Sequence, residues 1–365
     1  MFQNTAATHM NHKALVFALI ASTWAAVSAP ASALDLSIYG VGHLSADSID
    51  TGTDSSAYIH SNSSRLGFKG SHDLGKGFSV LFQYESGVDL TGNGTGDGNG
   101  GASSNGQIFT RARDSFVGVK GGFGTVLLGR LPAFNQWVYD YNLFGDQVGD
   151  LGNIWGGDGL PGRANNAAYY RTPDFGGFSL GLTYVPDQGG NNASAYIAKG
   201  DYANGGLKLG AAYANFNKGT GTSDNKATAI TGSYDFGAFN LGGGWQRETA
   251  IGNVSGADRD KYTLGASAKV GGSGTVKAQY TVANDLDNTS NTGASQWAVG
   301  YDYAWDKNTT LYVAYASTDN DAGASYTSYD WGHGDQGVPA LVAGNSPSAI
   351  SLGVVYKFDL GVLPR

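Results

Sequence analysis

Apolar and polar residues alternate one by one over much of the chain. In residues 276–282, apolar side chains occupy every second position, and Lys277, Gln279 and Thr281 lie between them. Because successive side chains of a strand point to opposite faces, this period of two predicts strands with one apolar and one polar face. The same alternation recurs in other stretches, among them residues 178–184, 262–270 and 350–358.

The predicted strands are long and regularly separated. Many run for about 9–11 residues, which is the length that crosses a bilayer at a tilt near 45°. Seven short turns containing Gly or Asp alternate with eight longer polar loops. The first of the longer loops is predicted at residues 46–60. Fifteen connections imply sixteen strands, and this alternation of turns and loops is typical of outer-membrane barrels. We therefore predict an all-β, 16-stranded antiparallel transmembrane β-barrel around a water-filled lumen.

The composition supports this fold class and excludes several others. Glycine accounts for 58 of the 365 residues, which disfavours a helical domain because each helical glycine costs about 1 kcal/mol relative to alanine. The chain has no Cys, so disulfide scaffolds and thiolate metal sites are excluded. Its net charge of −8 argues against nucleic acid as a partner, since nucleic-acid binding calls for a basic surface.

The first 33 residues are predicted to be a secretory signal peptide. A basic start at Lys13 precedes a mostly apolar run, and Ala31-Ser32-Ala33 has the small-x-small pattern of a cleavage site. A buried N-terminal helix is the alternative interpretation. Met10 could serve as the start codon, which would make residues 1–9 a misassigned beginning. We expect the exported chain to follow Ala33 and to pass through the periplasm.

Several short motifs carry information about a family. They are Ile38-Tyr39-Gly40, SRLGFKG at residues 64–70, DLGKGF at 73–78, FQYESG at 82–87, RDSFVGVKGGFG at 113–124 and WGGD at 155–158. Together they resemble the general trimeric porins of Gram-negative outer membranes, especially the β-proteobacterial type. The resemblance covers essentially all of residues 34–365. It implies a homotrimeric channel, embedded in outer-membrane lipid and lipopolysaccharide, that passively passes ions and small hydrophilic solutes.

One loop, residues 131–163, is long and rich in aromatic residues. A loop longer than about 15 residues in a compact domain is usually functional. By the resemblance it is the third loop, folds into the barrel and forms the constriction; a mobile extracellular loop is the alternative. Folded inward, its aromatic rings can pack against the wall; they are Phe134, Trp137, Tyr139, Tyr141, Phe144 and Trp155.

Strand parity and the resemblance together identify candidate pore-lining residues. Parity places Arg65 and Lys69 on the polar face of their strand, and therefore in the lumen. The resemblance implies that Arg65, Arg113 and Arg163 form a basic wall at the constriction, and Asp150 is the expected acid opposite. Charged rings set the ion preference of a pore. Because the arginines of the wall outnumber the acids of the loop, we expect weak anion preference or near neutrality. The full candidate set is Arg65, Lys69, Glu85, Arg111, Arg113, Asp150, Asp158 and Arg163.

Three features depart from the expected pattern. The family usually ends on an aromatic residue, whereas residues 359–365 follow Phe358 here. Enteric members carry two acids in the third loop, and Ile154 occupies the position of the second. Arg130 has the parity of the outer face, where an arginine in lipid is costly. We expect Arg130 to lie at the rim of the barrel or between subunits.

The sequence predicts no catalytic, metal or cofactor site, and therefore a channel rather than an enzyme. No catalytic-serine or zinc-protease motif is present. Two alternatives stay open: a substrate-specific channel that binds a sugar or an anion in its lumen, and an outer-membrane enzyme or adhesin built on a barrel. Each histidine of residues 34–365 stands alone in the sequence; they are His43, His60, His72 and His333.

Overall fold

The computed structural model describes residues 34–92, 109–135, 139–156, 158, 160–190, 193–217 and 223–362. The predicted signal peptide, residues 1–33, and Trp137 lie outside the described residues. The side chain of Arg111 is also outside them, although its backbone belongs to a strand.

Within these ranges, eighteen strand segments form one closed antiparallel sheet. Segments β2 and β3 both pair with β1, and β5 and β6 both pair with β4, so each of these two pairs is one barrel strand with a break. The barrel therefore has sixteen strands, which confirms the predicted fold. The segments are β1 (Leu34–Asp50), β2 (Ser55–Ser61), β3 (Arg65–Gly75), β4 (Phe78–Val88), β5 (Phe109–Ala112), β6 (Ser115–Gly121), β7 (Gly124–Pro132), β8 (Arg163–Arg171), β9 (Phe178–Val185), β10 (Ala195–Asn204), β11 (Leu207–Phe216), β12 (Asn225–Asp235), β13 (Phe239–Thr249), β14 (Arg259–Val270), β15 (Gly274–Ala283), β16 (Ala294–Ala304), β17 (Thr309–Asn320) and β18 (Ser348–Gly361).

The alternation of the sequence corresponds to the inside and the outside of the barrel. On β15, Lys277, Gln279 and Thr281 are buried, whereas the intervening Val276 and Tyr280 are exposed. A barrel in lipid requires this arrangement, because the apolar face contacts hydrocarbon and the polar face borders the aqueous lumen.

The first predicted loop, residues 46–60, is mostly strand. Segment β1 continues to Asp50 and β2 begins at Ser55, so only residues 51–54 connect them. Exposure alternates through this stretch, with Asp47 buried and Ser48 exposed. Polar residues on both faces concealed the strand, because the period-two signal requires an apolar face.

The barrel closes where the first and last strands meet. Segment β18 pairs with β1 in a continuous register from Asp50↔Ser348 to Ser37↔Gly361. Beyond the strand, Val362 N donates to Leu36 O at 2.8 Å. The residues from Asp359 to Gly361 therefore extend the closing strand beyond Phe358.

Helical structure is restricted to single turns in the described residues. Three of them, Tyr139–Tyr141, Gly152–Trp155 and Ile251–Asn253, lie wholly within the described residues, and the first two belong to the long loop between β7 and β8. Phe134 and Asn135 at the start of this loop are helical as well. No helix in the described part of the chain is long and apolar enough to cross a membrane.

Candidate pore constriction

The loop between β7 and β8, residues 133–162, folds into the barrel. Its largest apolar side chains, including Phe134, Phe144 and Trp155, are fully buried. Tyr141 Oη donates to Gly265 O at 2.7 Å on β14, and Gln279 Oε1 on β15 accepts from Leu143 N at 2.9 Å. These contacts with the inner wall confirm the inward-folded third loop and are incompatible with a mobile extracellular loop.

A buried ionic cluster fastens the end of the third loop to the wall. Asp158 pairs with Arg259 at 3.1 Å and with Lys261 at 2.7 Å, and Lys261 also pairs with Glu248 of β13 at 2.8 Å. Burial alone would raise the pKa of Asp158, but the adjacent Lys261 and Arg259 hold this pKa below its usual range. Asp158 thus attaches the loop to the barrel wall through its ion pairs with two cations of β14.

Two further lysines hold the middle of the loop. Lys199 Nζ on β10 lies 2.7 Å from Asp140, and Lys277 Nζ on β15 donates to Gln147 Oε1 at 2.8 Å. Lys277 also lies over the Phe144 ring, 4.6 Å from its centroid. The sequence analysis missed these lysines and Lys261, although all three have the parity of the inner face.

Each of the three arginines of the predicted basic wall has an acid beside it in the structure. Arg113 Nε lies 2.6 Å from Glu85 Oε1, and Arg163 Nε lies 2.5 Å from Asp114 Oδ1. Glu85 also accepts a hydrogen bond from Tyr39 at 2.9 Å. The third pair crosses from wall to loop, since Arg65 Nη1 lies 3.4 Å from Asp146 Oδ2. These six side chains are candidates for the narrowest part of the pore, and we call them the constriction ring: Arg65, Arg113, Arg163, Glu85, Asp114 and Asp146.

Lys69 pairs outside this ring. Its Nζ lies 2.6 Å from Asp359 of the closing strand, and both side chains are more than 40% exposed. Lys69 also lies over the Tyr39 ring, with 4.6 Å between Nζ and the centroid. It therefore neighbours the constriction ring through Tyr39 without belonging to one of the three pairs.

Asp150 has a different environment from the one expected of a pore-facing acid. Its residue is 3% exposed, and its carboxylate accepts from Asn142 Nδ2, Asp146 N and Gly152 N at 2.7–2.8 Å. Burial, reinforced by the nearby charge of Asp146, raises the pKa of Asp150 to about 7. Asp150 therefore organises the backbone of the loop, and Asp146 is the loop acid that pairs with Arg65.

Arg130 bonds within its own chain. Its Nε donates to Ala112 O at 2.8 Å, and its Nη1 donates to Asn165 Oδ1. These bonds satisfy part of the guanidinium at the end of β7, so its position does not by itself require a neighbouring subunit.

A polar-lined closed barrel with a loop across its lumen matches a known family. Residues 16–323 match the Gram-negative porin family. The chain belongs to that family. This porin therefore lies in the outer membrane of a Gram-negative bacterium and forms a passive diffusion channel for ions and small hydrophilic solutes. Its homologues are channels rather than enzymes.

Two curated relatives cover most of the porin. Outer membrane porin protein 32 of Delftia acidovorans is 32% identical over an alignment of 319 positions, which covers 81% of this chain and 85% of the relative. Major outer membrane protein P.IB of Neisseria gonorrhoeae is 28% identical over an alignment of 340 positions, which covers 81% of this chain and 91% of the relative. Among solved structures, the anion-selective porin from Comamonas acidovorans is 28% identical with a TM-score of 0.72, covering 89% of this chain and all of that one.

Proposed function

We propose that this porin is a general diffusion channel with weak ion selectivity, between near neutrality and a slight anion preference. The observation that carries the proposal is the constriction ring, in which three arginines face three carboxylates in pairs. Neither sign dominates there. Charges on distant loops contribute little, because the Debye length is about 10 Å at 0.1 M salt. The Comamonas relative, described as anion-selective, supports the anionic side of this range.

Reversal potentials in a KCl gradient across a planar bilayer test this proposal. We expect a small potential of the anion-preferring sign or one near zero. A strongly cation-selective wild-type channel would contradict it. The substrate-specific alternative predicts a conductance that saturates with one solute, such as a maltooligosaccharide or phosphate. Such a channel would expose aromatic rings along its lumen for a sugar to contact. Tyr312, on the inner face of β17, does not meet this requirement, since it is 4% exposed and its hydroxyl lies 2.9 Å from His43 Nε2.

Two acids of the third loop, Asp146 and Asp150, are expected to differ in their influence on selectivity. Asp146→Asn leaves Arg65 without its carboxylate and should move the reversal potential toward anions. Asparagine tolerates the positive φ of 62° at this position, so the backbone is retained. Asp150→Asn should shift the potential less than about half as far, because an acid with a pKa near 7 is about half ionised at neutral pH. Equal shifts in the two variants would contradict the assignment of Asp146 as the pore-facing acid.

We also propose that the porin is a homotrimer in outer-membrane lipid and lipopolysaccharide. The sequence resemblance supports the trimer. The exposed outer surface supports lipid contact, since it carries aromatic pairs such as Trp297 with Tyr315 and Tyr303 with Trp305. Rings with an apolar body and a polar tip are typical of membrane interfaces. Light scattering in mild detergent should give three chains per particle, and a monomer would contradict this part of the proposal.

A further inference from the structure

Three ionisable side chains meet at the end of the barrel where the loop between β17 and β18 lies, outside the constriction ring. Asp47 extends from β1, His60 from β2, and His333 from the loop between β17 and β18. All three are at most 3% exposed. Within the described ranges they form the group of His, Asp and Glu side chains whose possible ligand atoms all lie within 4.8 Å of one another.

Hydrogen bonds fix which nitrogen of each imidazole carries a proton. His60 Nε2 lies 3.2 Å from Gln336 O, and His333 Nδ1 lies 2.8 Å from Gly334 O. A carbonyl oxygen only accepts, so both of these nitrogens donate. The other nitrogen of each neutral ring then carries a lone pair.

These two lone pairs face a carboxylate. His60 Nδ1 lies 2.7 Å from Asp47 Oδ2, and His333 Nε2 lies 3.4 Å from Asp47 Oδ1. Asp47 Oδ1 is buried and has no hydrogen-bond partner in the described structure. When both rings are neutral, Ser45 Oγ, 2.9 Å from Oδ2, is the donor that this carboxylate keeps, and Oδ1 stays unsatisfied. Unsatisfied acceptors are unfavourable in a buried site, and a cation between the three side chains would satisfy Oδ1 and both lone pairs.

We propose that Asp47, His60 and His333 bind a zinc ion. Two imidazole nitrogens and one carboxylate oxygen suit Zn²⁺, whereas Mg²⁺ and Ca²⁺ prefer oxygen ligands throughout. Zinc–ligand distances are about 2.0–2.2 Å, which atoms already within 4.8 Å of one another reach through small side-chain movements. Ser45 Oγ lies 3.3 Å from His333 Nε2 and 2.9 Å from Asp47 Oδ2, beside the fourth position.

The surroundings of both rings have the form of a metal site. A metal-bound histidine usually donates its other ring N–H to a carbonyl or a carboxylate, which fixes the orientation of the ring. His60 and His333 both make such a bond, to Gln336 O and Gly334 O. The ligands come from two wall strands and one loop, so the ion would hold the loop of residues 321–347 to the wall.

This attachment extends to the third loop. Trp331, two residues before His333, donates its backbone N–H to Asn153 Oδ1 at 2.8 Å. Its ring covers Gly152 so closely that a Cβ there would lie 1.9 Å from the indole. Zinc at His333 would therefore also steady the loop that forms the constriction.

Metal content of the purified porin tests the proposal. Protein without an affinity tag is stripped with chelator, incubated with ZnCl2 in excess MgCl2 at pH 7.5, desalted and measured by plasma mass spectrometry. We expect one zinc per chain. His333→Ala and His60→Gln should each weaken zinc binding at least about tenfold. His72→Gln is the matched control, because His72 lies on β3 outside this group.

Folding of each variant is checked in two ways. One is the difference in electrophoretic mobility between heated and unheated samples, and the other is the channel conductance. A wild-type protein that takes up no zinc would overturn the proposal. So would zinc uptake that persists in folded His333→Ala, or uptake that is lost in His72→Gln. As a second readout, zinc should slow proteolysis within residues 321–347 of the wild type and leave His333→Ala unaffected.

Discussion

Lys261→Met is expected to detach the end of the third loop and to destabilise the barrel by about 3–5 kcal/mol, the cost of breaking a buried ion pair from one side. The Lys261 side chain is fully buried, as is that of Glu248, its partner at 2.8 Å. Its Nζ also donates to Trp155 O at 3.0 Å. Methionine has a similar length but removes the cation that pairs with the Glu248 carboxylate. Asp158 keeps its pair with Arg259 and its hydrogen bond from Tyr326 Oη.

Urea unfolding in detergent measures the loss of stability, and single-channel recording measures the release of the loop. We expect a lower unfolding midpoint, a higher mean conductance and more current noise. Lys69→Met is the matched control, since its pair with Asp359 is about 40% exposed and exposed pairs contribute about 0–1 kcal/mol. If Lys261→Met had the same unfolding midpoint and the same current noise as Lys69→Met, the buried cluster would not be the anchor of the loop.

Arg113→Ala is expected to give the largest change in selectivity, toward cations. The substitution removes the partner that lies 2.6 Å from Glu85, and that carboxylate of the constriction ring then keeps the hydrogen bond from Tyr39. The ring then carries one more negative than positive charge. The reversal potential in a KCl gradient should move toward the potassium value.

Two further variants isolate this effect. Adding Glu85→Gln to Arg113→Ala should restore most of the original reversal potential, because the charge balance of the ring is restored. Lys226→Ala removes a positive charge from an exposed position on β12 and should leave the potential unchanged. An unaltered potential in Arg113→Ala would exclude the ring from the narrowest part of the pore.

Periodicity was sufficient to predict the barrel and to orient residues on its strands. The period of two placed Arg65, Lys69 and Glu85 on the inner face, and the number of turns and loops gave sixteen strands. It also contained the signal for Lys261, which alternates with Tyr262 across the wall. The importance of Lys261 was missed because parity says which face a residue occupies, but not which loop residue it meets.

Other features have no period to guide a prediction. Inside the third loop, no repeat distinguishes Asp150, which binds the loop backbone, from Asp146, which reaches Arg65. His60 and His333 are far apart in sequence, and each stands alone there. Only the path of the loop at residues 321–347 brings the two imidazoles to the same carboxylate.

The pairing of β1 with β18 has a consequence for how the barrel folds. Ser37 and Gly361 are neighbours in space although almost the whole chain separates them. Contacts of such high contact order form slowly, because a long loop must be closed before any interaction compensates for the lost entropy. Until that step, both terminal strands present unpaired edges that can pair with other chains. Closure is therefore the stage at which we expect an exported molecule to depend most on periplasmic chaperones.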